Sequence, residues 1–125
     1  MARFEIEVAG VEYVGETASA RDQFQALHIA ANSRLLVGMQ EGVSDQALVL
    51  SLLALDWPDL QRLESLLVKE KIKRAEDDAP VAGNLFRDDP ANYALLIGLA
   101  ARENLAGFYA LRGQKNAGAE QAAKP

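Results

Sequence analysis

The single histidine, His28, is the side chain of this chain best suited to acid–base chemistry near neutral pH. A general base needs an oriented substrate and usually a second positioned group. No serine or aspartate near His28 stands in a recognisable nucleophile context. His28 also falls on or beside an apolar helix stripe, so we expect it to have a structural role.

A group of aspartates in one acidic segment is the next candidate for chemistry, because calcium takes oxygen ligands from acidic loops. The spacing of these residues does not match an EF-hand loop with its closing glutamate. Helix capping, solubility and partner contact explain them better, and we expect no metal site. The residues concerned are Asp77, Asp78, Asp88 and Asp89.

Other catalytic signatures are absent from the sequence. It has no cysteine, and therefore no thiolate nucleophile, disulfide or Cys-ligated zinc site. Gly-rich phosphate loops, HExxH and serine nucleophile elbows are also absent. We therefore expect a protein that is not an enzyme and has no catalytic residues and no cofactor.

The charge balance argues against nucleic acid or an anionic membrane as partner. The formal net charge is −5, whereas phosphate binding depends on Lys and Arg. A basic run does follow the third predicted helix, but Glu70 and Glu76 interleave with it and no aromatic platform is near. We interpret it as a solvated helix end; it comprises Lys69, Lys71, Lys73 and Arg74.

Length and composition indicate one folded domain. The chain has 125 residues, of which 50% are hydrophobic and 25% charged, as in ordinary globular proteins. The most apolar run, residues 47–55, is much shorter than the roughly 20 residues of a membrane span, and predicts a buried core helix. The N-terminus lacks the apolar core of a signal peptide, so we expect the mature protein to be the whole chain.

Hydrophobic periodicity predicts an N-terminal β-hairpin over about residues 3–14. Phe4, Ile6 and Val8 alternate with charged residues, and the alternation resumes after Ala9 and Gly10. Glycine supplies the positive φ that a two-residue turn needs. A lone hairpin is marginal in water, so its apolar face must lie against the helices.

Four helices are predicted to follow the hairpin. The first starts at an N-cap, Ser19, and ends near Gly38 and Gly42; its apolar face holds Phe24, Leu27, His28, Ala31 and Leu35. The second covers residues 44–55 and is apolar on nearly every side, which predicts that neighbouring elements enclose it.

The third helix is predicted to begin at residues 56–58, with a stripe of leucines from Leu60 to Leu67, and to continue into the basic run. The fourth opens at Asp89 and Pro90 and ends at Gly113. Residues 114–125 have no apolar anchor and predict a disordered tail. The predicted fold is mainly α: a four-helix domain over residues 1–113 with a short N-terminal hairpin, and a flexible tail over residues 114–125.

Four apolar residues are difficult to assign to the core. Leu85 and Phe86 lie in the acidic loop, and Phe108 and Tyr109 lie near the end of the last helix. With a rim of Arg87, Asp88, Arg102 and Arg112, they would form a protein-binding surface. The alternative is that the loop folds back onto its own core. Trp57 and Tyr93 are expected to be core or half-core aromatics.

Three features together resemble the tail assembly chaperones of long-tailed, siphovirus-type bacteriophages. The first is the hairpin that leads into a helix with Gln23 and Phe24. The second is Leu85-Phe86-Arg87-Asp88 in the acidic turn, which is similar to the Leu/Met-Phe-acidic segment of the family. The third is the segment 104–109, Asn-Leu-Ala-Gly-Phe-Tyr, which is similar to the family's Asn-Leu-x-Gly-Phe-aromatic ending. The similarity covers most of residues 3–112.

The resemblance implies a non-enzymatic role in phage tail morphogenesis. Such a chaperone binds the helical tape measure protein, keeps it soluble and recruits major tail tube protein subunits in the host cell cytoplasm; it is not expected in the mature virion. The candidate protein-binding residues are then Leu85, Phe86, Asp88, Asn104, Phe108 and Tyr109. In family members the first helix often continues with basic residues, whereas residues 25–29 of this chain are Gln-Ala-Leu-His-Ile. We therefore do not assign to this chain any role that the basic residues have in the family.

Two other functions stay open. One is an acidic, phage-encoded inhibitor or regulator of a host nucleic-acid-binding protein, which predicts carboxylates clustered on one face and binding that weakens with salt. The other is a small enzyme, which would need a concave pocket around His28 with convergent polar groups. An apolar helix face serves a core and a homotypic interface equally well, so a homo-oligomer is also open.

Overall fold

The computed structural model describes residues 3–40 and 42–123, with side chains described for all of these except residues 83–84 and 107–123. Within these ranges the chain forms a three-stranded antiparallel sheet in the order β1-β2-β3 and five α-helices. The elements are β1 (Arg3–Val8), β2 (Val11–Glu16), α1 (Ala20–Ala31), α2 (Leu35–Gly38), α3 (Asp45–Leu53), α4 (Trp57–Leu67), β3 (Ile72–Arg74), a 3₁₀ helix (Gly83–Phe86) and α5 (Pro90–Ala123).

The predicted hairpin is confirmed and is slightly longer than expected. Val8 pairs with Val11 across a two-residue turn in which Ala9 and Gly10 have φ of 52° and 81°. Two consecutive positive φ values match the turn whose twist suits a hairpin. Phe4, Ile6 and Val8 are buried under the sheet, and their charged neighbours face out.

The third strand corrects the prediction that the basic run extends a helix. Helix α4 ends at Leu67, the chain turns through Glu70 at a φ of 64°, and Ile72–Arg74 pairs antiparallel with β2. Ile72 is 1% exposed while its neighbour Lys73 is exposed. Burying Ile72 against the sheet therefore stabilises a strand here more than the charge pattern of the basic run stabilises a helix.

Helix α1 starts as predicted but buries a different face. The Ser19 hydroxyl accepts a hydrogen bond from the Asp22 N–H at 3.2 Å. The buried residues are Ala26, Ile29 and Ala30, whereas Phe24 is 74% exposed. Small alanine side chains let α1 lie close to its neighbours, including α4, and this packing turns Phe24 away from the core.

The segment after α1 adds a fifth helix that the sequence did not predict. Helix α1 ends at Ala31 instead of near Gly38, and α2 is a separate single turn. The side chain of Ser33 makes the break by donating to the Ala30 carbonyl and accepting from the Leu35 N–H, both at 3.2 Å. A side chain that bonds locally to the backbone competes with helix continuation.

Helix α3 begins at the predicted cap, where the Ser44 hydroxyl accepts from the Ala47 N–H at 3.2 Å. Leu48 and Leu52 are fully buried. The expectation that α3 is enclosed on all sides is wrong, because it packs mainly against α2 and α5. Leu50 and Leu53 on its open side are 61% and 53% exposed.

Helices α4 and α5 complete the core. Helix α4 buries Leu63, Leu66 and Leu67 as predicted, and α5 begins at Pro90 as predicted. The α5 backbone continues past Gly113 to Ala123, since the alanine-rich end has good helix propensity. The fold is therefore mixed α/β, mainly helical, and not a four-helix domain with a hairpin alone.

Candidate protein-binding site

The acidic loop folds onto its own core. Phe86 is 8% exposed and Leu85 is half-buried, and Val81 at the start of the loop is also buried. The Phe86 ring lies between two tyrosines, with centroid distances of 5.9 Å to Tyr13 and 5.3 Å to Tyr93. The ring thus joins the sheet to α5. This position favours the alternative in which the loop folds onto its own core, and disfavours an exposed docking patch at Phe86.

Asn104 also has a structural position. It is 6% exposed, and its side-chain carbonyl accepts a hydrogen bond from the Ala18 N–H at 2.7 Å. Its amide donates to the Ala100 carbonyl at 2.8 Å. Both polar ends of this buried amide are thus used inside the fold, as buried polar groups usually are.

The other candidate contacts do not combine into one surface within the described side chains. Asp88 is exposed just before α5. Phe108 and Tyr109 have side chains outside the described residues. The docking surface predicted around Phe86 is therefore not assembled by the side chains that the structure describes.

A different apolar surface is exposed instead. Among the side chains that the structure describes, the exposed large hydrophobic ones are Phe24, Val37, Leu50, Leu53 and Trp57. Three of these lie on α3 and at the start of α4. Trp57, which the sequence placed in the core or half in it, is 66% exposed because it occupies the first helical position after the Asp56 cap.

Leu53 and Trp57 border an apolar groove between α4, the end of α3 and the start of α5. We call it the Trp57 groove. It has a volume of about 240 Å³, and among the described residues its lining is apolar apart from Gln61, Glu64 and the Tyr93 hydroxyl. The lining residues are Leu52, Leu53, Trp57, Leu60, Gln61, Glu64, Pro90, Tyr93, Ala94 and Ile97.

A hydrogen bond at the groove joins two of its walls. The Tyr93 hydroxyl on α5 donates to Oε2 of Glu64 on α4. Burial raises the pKa of Tyr93, and the neighbouring carboxylate raises it further. The hydrogen bond thus connects α4 and α5 at the edge of the groove.

The apolar surface continues past Leu50 on the outer side of α3. A second, shallower hollow of about 250 Å³ lies between α3 and α5, lined by Asp45, Gln46, Val49, Leu50, Ala91, Asn92 and Leu95. Exposed leucines and one tryptophan thus extend over neighbouring hollows. Groups of exposed apolar side chains mark interaction sites in soluble proteins.

The residues first considered for chemistry lie elsewhere. His28 is exposed on α1, and the only side-chain partner that the structure shows for its ring, among the described residues, is Asn32 at 3.4 to 3.5 Å. Within the described ranges no three His, Asp or Glu side chains are grouped to hold a metal ion. A wider hollow on the outer sheet face carries mixed charges, among them Arg3, Glu5, Glu12 and Lys73.

The sequence did contain a signal for the Trp57 groove. Asp56, Pro58 and Asp59 surround the tryptophan with residues typical of a helix start at the surface, and α3 has more apolar residues than one buried stripe needs. Along the helices that the structure describes, none has the length and hydropathy to cross a membrane.

The chain was compared with protein-family models, with curated proteins and with solved structures, and none of the three comparisons gave a match.

Proposed function

We propose that this protein is a non-enzymatic binding protein that covers an apolar helical segment of a partner, as a phage tail assembly chaperone does for the tape measure protein. The exposed apolar surface that comprises Leu50, Leu53 and the Trp57 groove supports this proposal most directly. The resemblance in the hairpin, the acidic turn and the segment 104–109 supplies the identity of the partner.

The groove has the properties that a helix-binding site needs. It lies between helices, so its backbone groups are bonded within them and a partner must bind through side chains. Tryptophan at the centre of an interface commonly carries much of the binding energy. The groove volume of about 240 Å³ is below the roughly 300 to 1,000 Å³ of sites that enclose a small ligand. It suits apolar side chains projecting from a helix.

Co-expression tests this function. The chain is co-expressed with a phage tape measure protein and a major tail tube protein, and the complex is isolated by affinity purification. Trp57→Ser combined with Leu53→Ser is expected to abolish recovery of the tape measure protein while the chain stays folded, because both side chains are already exposed.

The matched control is Phe24→Ser. Phe24 is 74% exposed but lies on α1, outside the groove, so this variant is expected to bind like the wild type. Equal recovery with all variants would assign the partner to another surface. Failure of the wild type to recover either tail protein would refute the chaperone function itself.

A second function, inhibition of a nucleic-acid-binding protein, is favoured by the acidic residues around the groove. Asp56 and Asp59 flank Trp57, and both are exposed. An inhibitor of this kind would compete with DNA or RNA for its target. Competition with nucleic acid in a filter-binding assay, together with no recovery of the tape measure protein, would support this function over the chaperone.

A further inference from the structure

The charges around the Trp57 groove restrict the chemistry of the partner. We infer that the groove takes an amphipathic helix whose apolar stripe is flanked by Lys and Arg. This inference rests on the proposed function, because it names the class of segment bound at the same groove.

Carboxylates outnumber cations on the segments that build the groove. Residues 44–66 and 87–101 carry six carboxylates, Asp45, Asp56, Asp59, Glu64, Asp88 and Asp89, against two guanidinium groups, Arg62 and Arg87. Five of the six acids are exposed, and Glu64 is half-buried. The side chain of Arg62 is directed toward α1, where its Nη2 donates to Oε1 of Gln25 at 3.1 Å.

The acids lie beside apolar residues that a partner helix would contact. Asp56 and Asp59 are neighbours of Trp57 in the first turn of α4, and Glu64 lines the groove. Asp45 lines the adjacent hollow under Leu50. A helix seated on Trp57 and Leu53 would therefore bring its flanking side chains against carboxylates, and complementary charge across an interface selects partners and speeds their association.

The same charges disfavour a second copy of the chain as the occupant. A symmetric dimer through this surface would bring acids such as Asp56, Asp59 and Glu64 of one copy near those of the other, and like charges in contact oppose association. Two lysines of the chain, Lys71 and Lys73, lie away from the groove, where they line the mixed-charge hollow on the sheet. A partner helix with a basic polar face fits the groove without that repulsion.

Peptides that share one apolar stripe test the inference. Three synthetic amphipathic helices carry leucine at the same positions and differ only in the flanking residues. These are Lys and Arg in the basic peptide, Gln in the neutral peptide and Glu in the acidic peptide. Binding to the full chain is followed through the fluorescence of Trp57, the only tryptophan. The basic peptide is expected to bind about tenfold or more tightly than the neutral one, from several weak charge pairs. The acidic peptide is expected to bind most weakly.

Raising the salt concentration is expected to remove most of the difference between the basic and neutral peptides, because exposed charges are screened. Asp56→Asn combined with Asp59→Asn is expected to lower the affinity for the basic peptide toward that for the neutral one. Asparagine keeps the N-cap preference at Asp56, and urea unfolding confirms the fold of each variant. The control is Glu5→Gln with Glu7→Gln, which changes the net charge equally on β1.

The outcomes separate the inference from the proposed function. The first outcome is that all three peptides bind equally and that calorimetry shows no binding to the Trp57→Ser variant. The groove is then the binding site, and the inferred preference for basic peptides is wrong. If the β1 control weakens binding as much as the groove variant does, net charge and not the groove acids selects the peptide. If no peptide binds the wild type, the groove itself is not a helix-binding site.

Discussion

The side-chain carbonyl of Asn104 accepts a hydrogen bond from the backbone N–H of Ala18, 2.7 Å away and 86 residues distant in the chain. This bond fixes the segment between β2 and α1 onto α5. Both residues are buried, so water cannot replace the lost partner if either group is removed. Asn104, which the sequence motif placed among the binding residues, holds the two parts of the fold together.

Replacing Asn104 by Ala is expected to lower the free energy of unfolding by about 1 to 3 kcal/mol, since the buried Ala18 N–H loses its acceptor. Urea denaturation measures the loss. Glu103→Ala, at an exposed neighbouring position, should change stability by no more than about 0.5 kcal/mol. Equal effects of the two substitutions would show that the Ala18 bond is not important for stability.

Phe86→Ala is expected to destabilise the chain by about 3 to 5 kcal/mol, as removal of a buried ring does. The loss reflects the contacts of the ring with Tyr13 and Tyr93, and thermal or urea unfolding measures it. Asp88→Ala, in the same loop but exposed, serves as the control. A stability loss below about 1 kcal/mol for Phe86→Ala would mean that the ring is at the surface, as a docking residue requires.

The contact between Gly98 on α5 and Leu48 on α3 predicts that the effect of Gly98→Ala on stability changes sign when Leu48 is shortened. A Cβ at Gly98 would lie 2.9 Å from Cγ of Leu48, closer than two carbon atoms pack. Gly98→Ala should therefore destabilise the wild type by about 1 kcal/mol or more. In a Leu48→Ala background the same substitution should stabilise by up to about 1 kcal/mol, because alanine is the better helix former.

A double-mutant cycle in urea gives both values. The same effect of Gly98→Ala in the two backgrounds would show that Leu48 does not restrict this position.

Substitutions in the third strand distinguish a strand at Ile72–Arg74 from a helical extension of α4. Ile72→Ala should lower the free energy of unfolding by about 2 to 5 kcal/mol, since Ile72 is buried under the sheet. Lys73→Ala, on the exposed face of the same strand, should have little effect. Hydrogen exchange gives a second readout: the N–H of Glu16 and the N–H of Ala75 bond across β2 and β3 and should both be protected.

The ion pair between Arg74 and Asp77 predicts a pH dependence. A bidentate hydrogen bond from Arg74 to the carboxylate, at 2.7 and 2.9 Å, lowers the pKa of Asp77 from 3.8 to about 2. Since the pKa is lower in the folded state, the pair stabilises the fold above the unfolded pKa. That contribution is lost as pH falls from about 4 toward 2.

NMR titration of the Asp77 carboxyl carbon checks this pKa, and Arg74→Gln should return it toward the ordinary value. The stability difference between the wild type and Asp77→Asn should be largest above pH 4, decline as pH falls toward 2, and be lost below the folded pKa. An unshifted pKa in the wild type would show that the pair does not persist in solution.

Local signals in the sequence determined where several elements begin. Ser19, Ser44 and Pro90 mark the starts of α1, α3 and α5, and the alternation of Phe4, Ile6 and Val8 marks the hairpin. These predictions succeed because capping and strand alternation depend on neighbouring residues, which the sequence shows directly.

Only the tertiary structure decided which apolar side chains are covered. Phe86 turns inward because Tyr13 and Tyr93 surround it, and Ile72 joins a strand because β2 offers a free edge. Trp57 stays 66% exposed at the first turn of α4, on the border of the groove. Burial depends on neighbours that are distant in the chain, so the hydrophobicity of a residue alone could not separate the core ring of Phe86 from the exposed ring of Trp57.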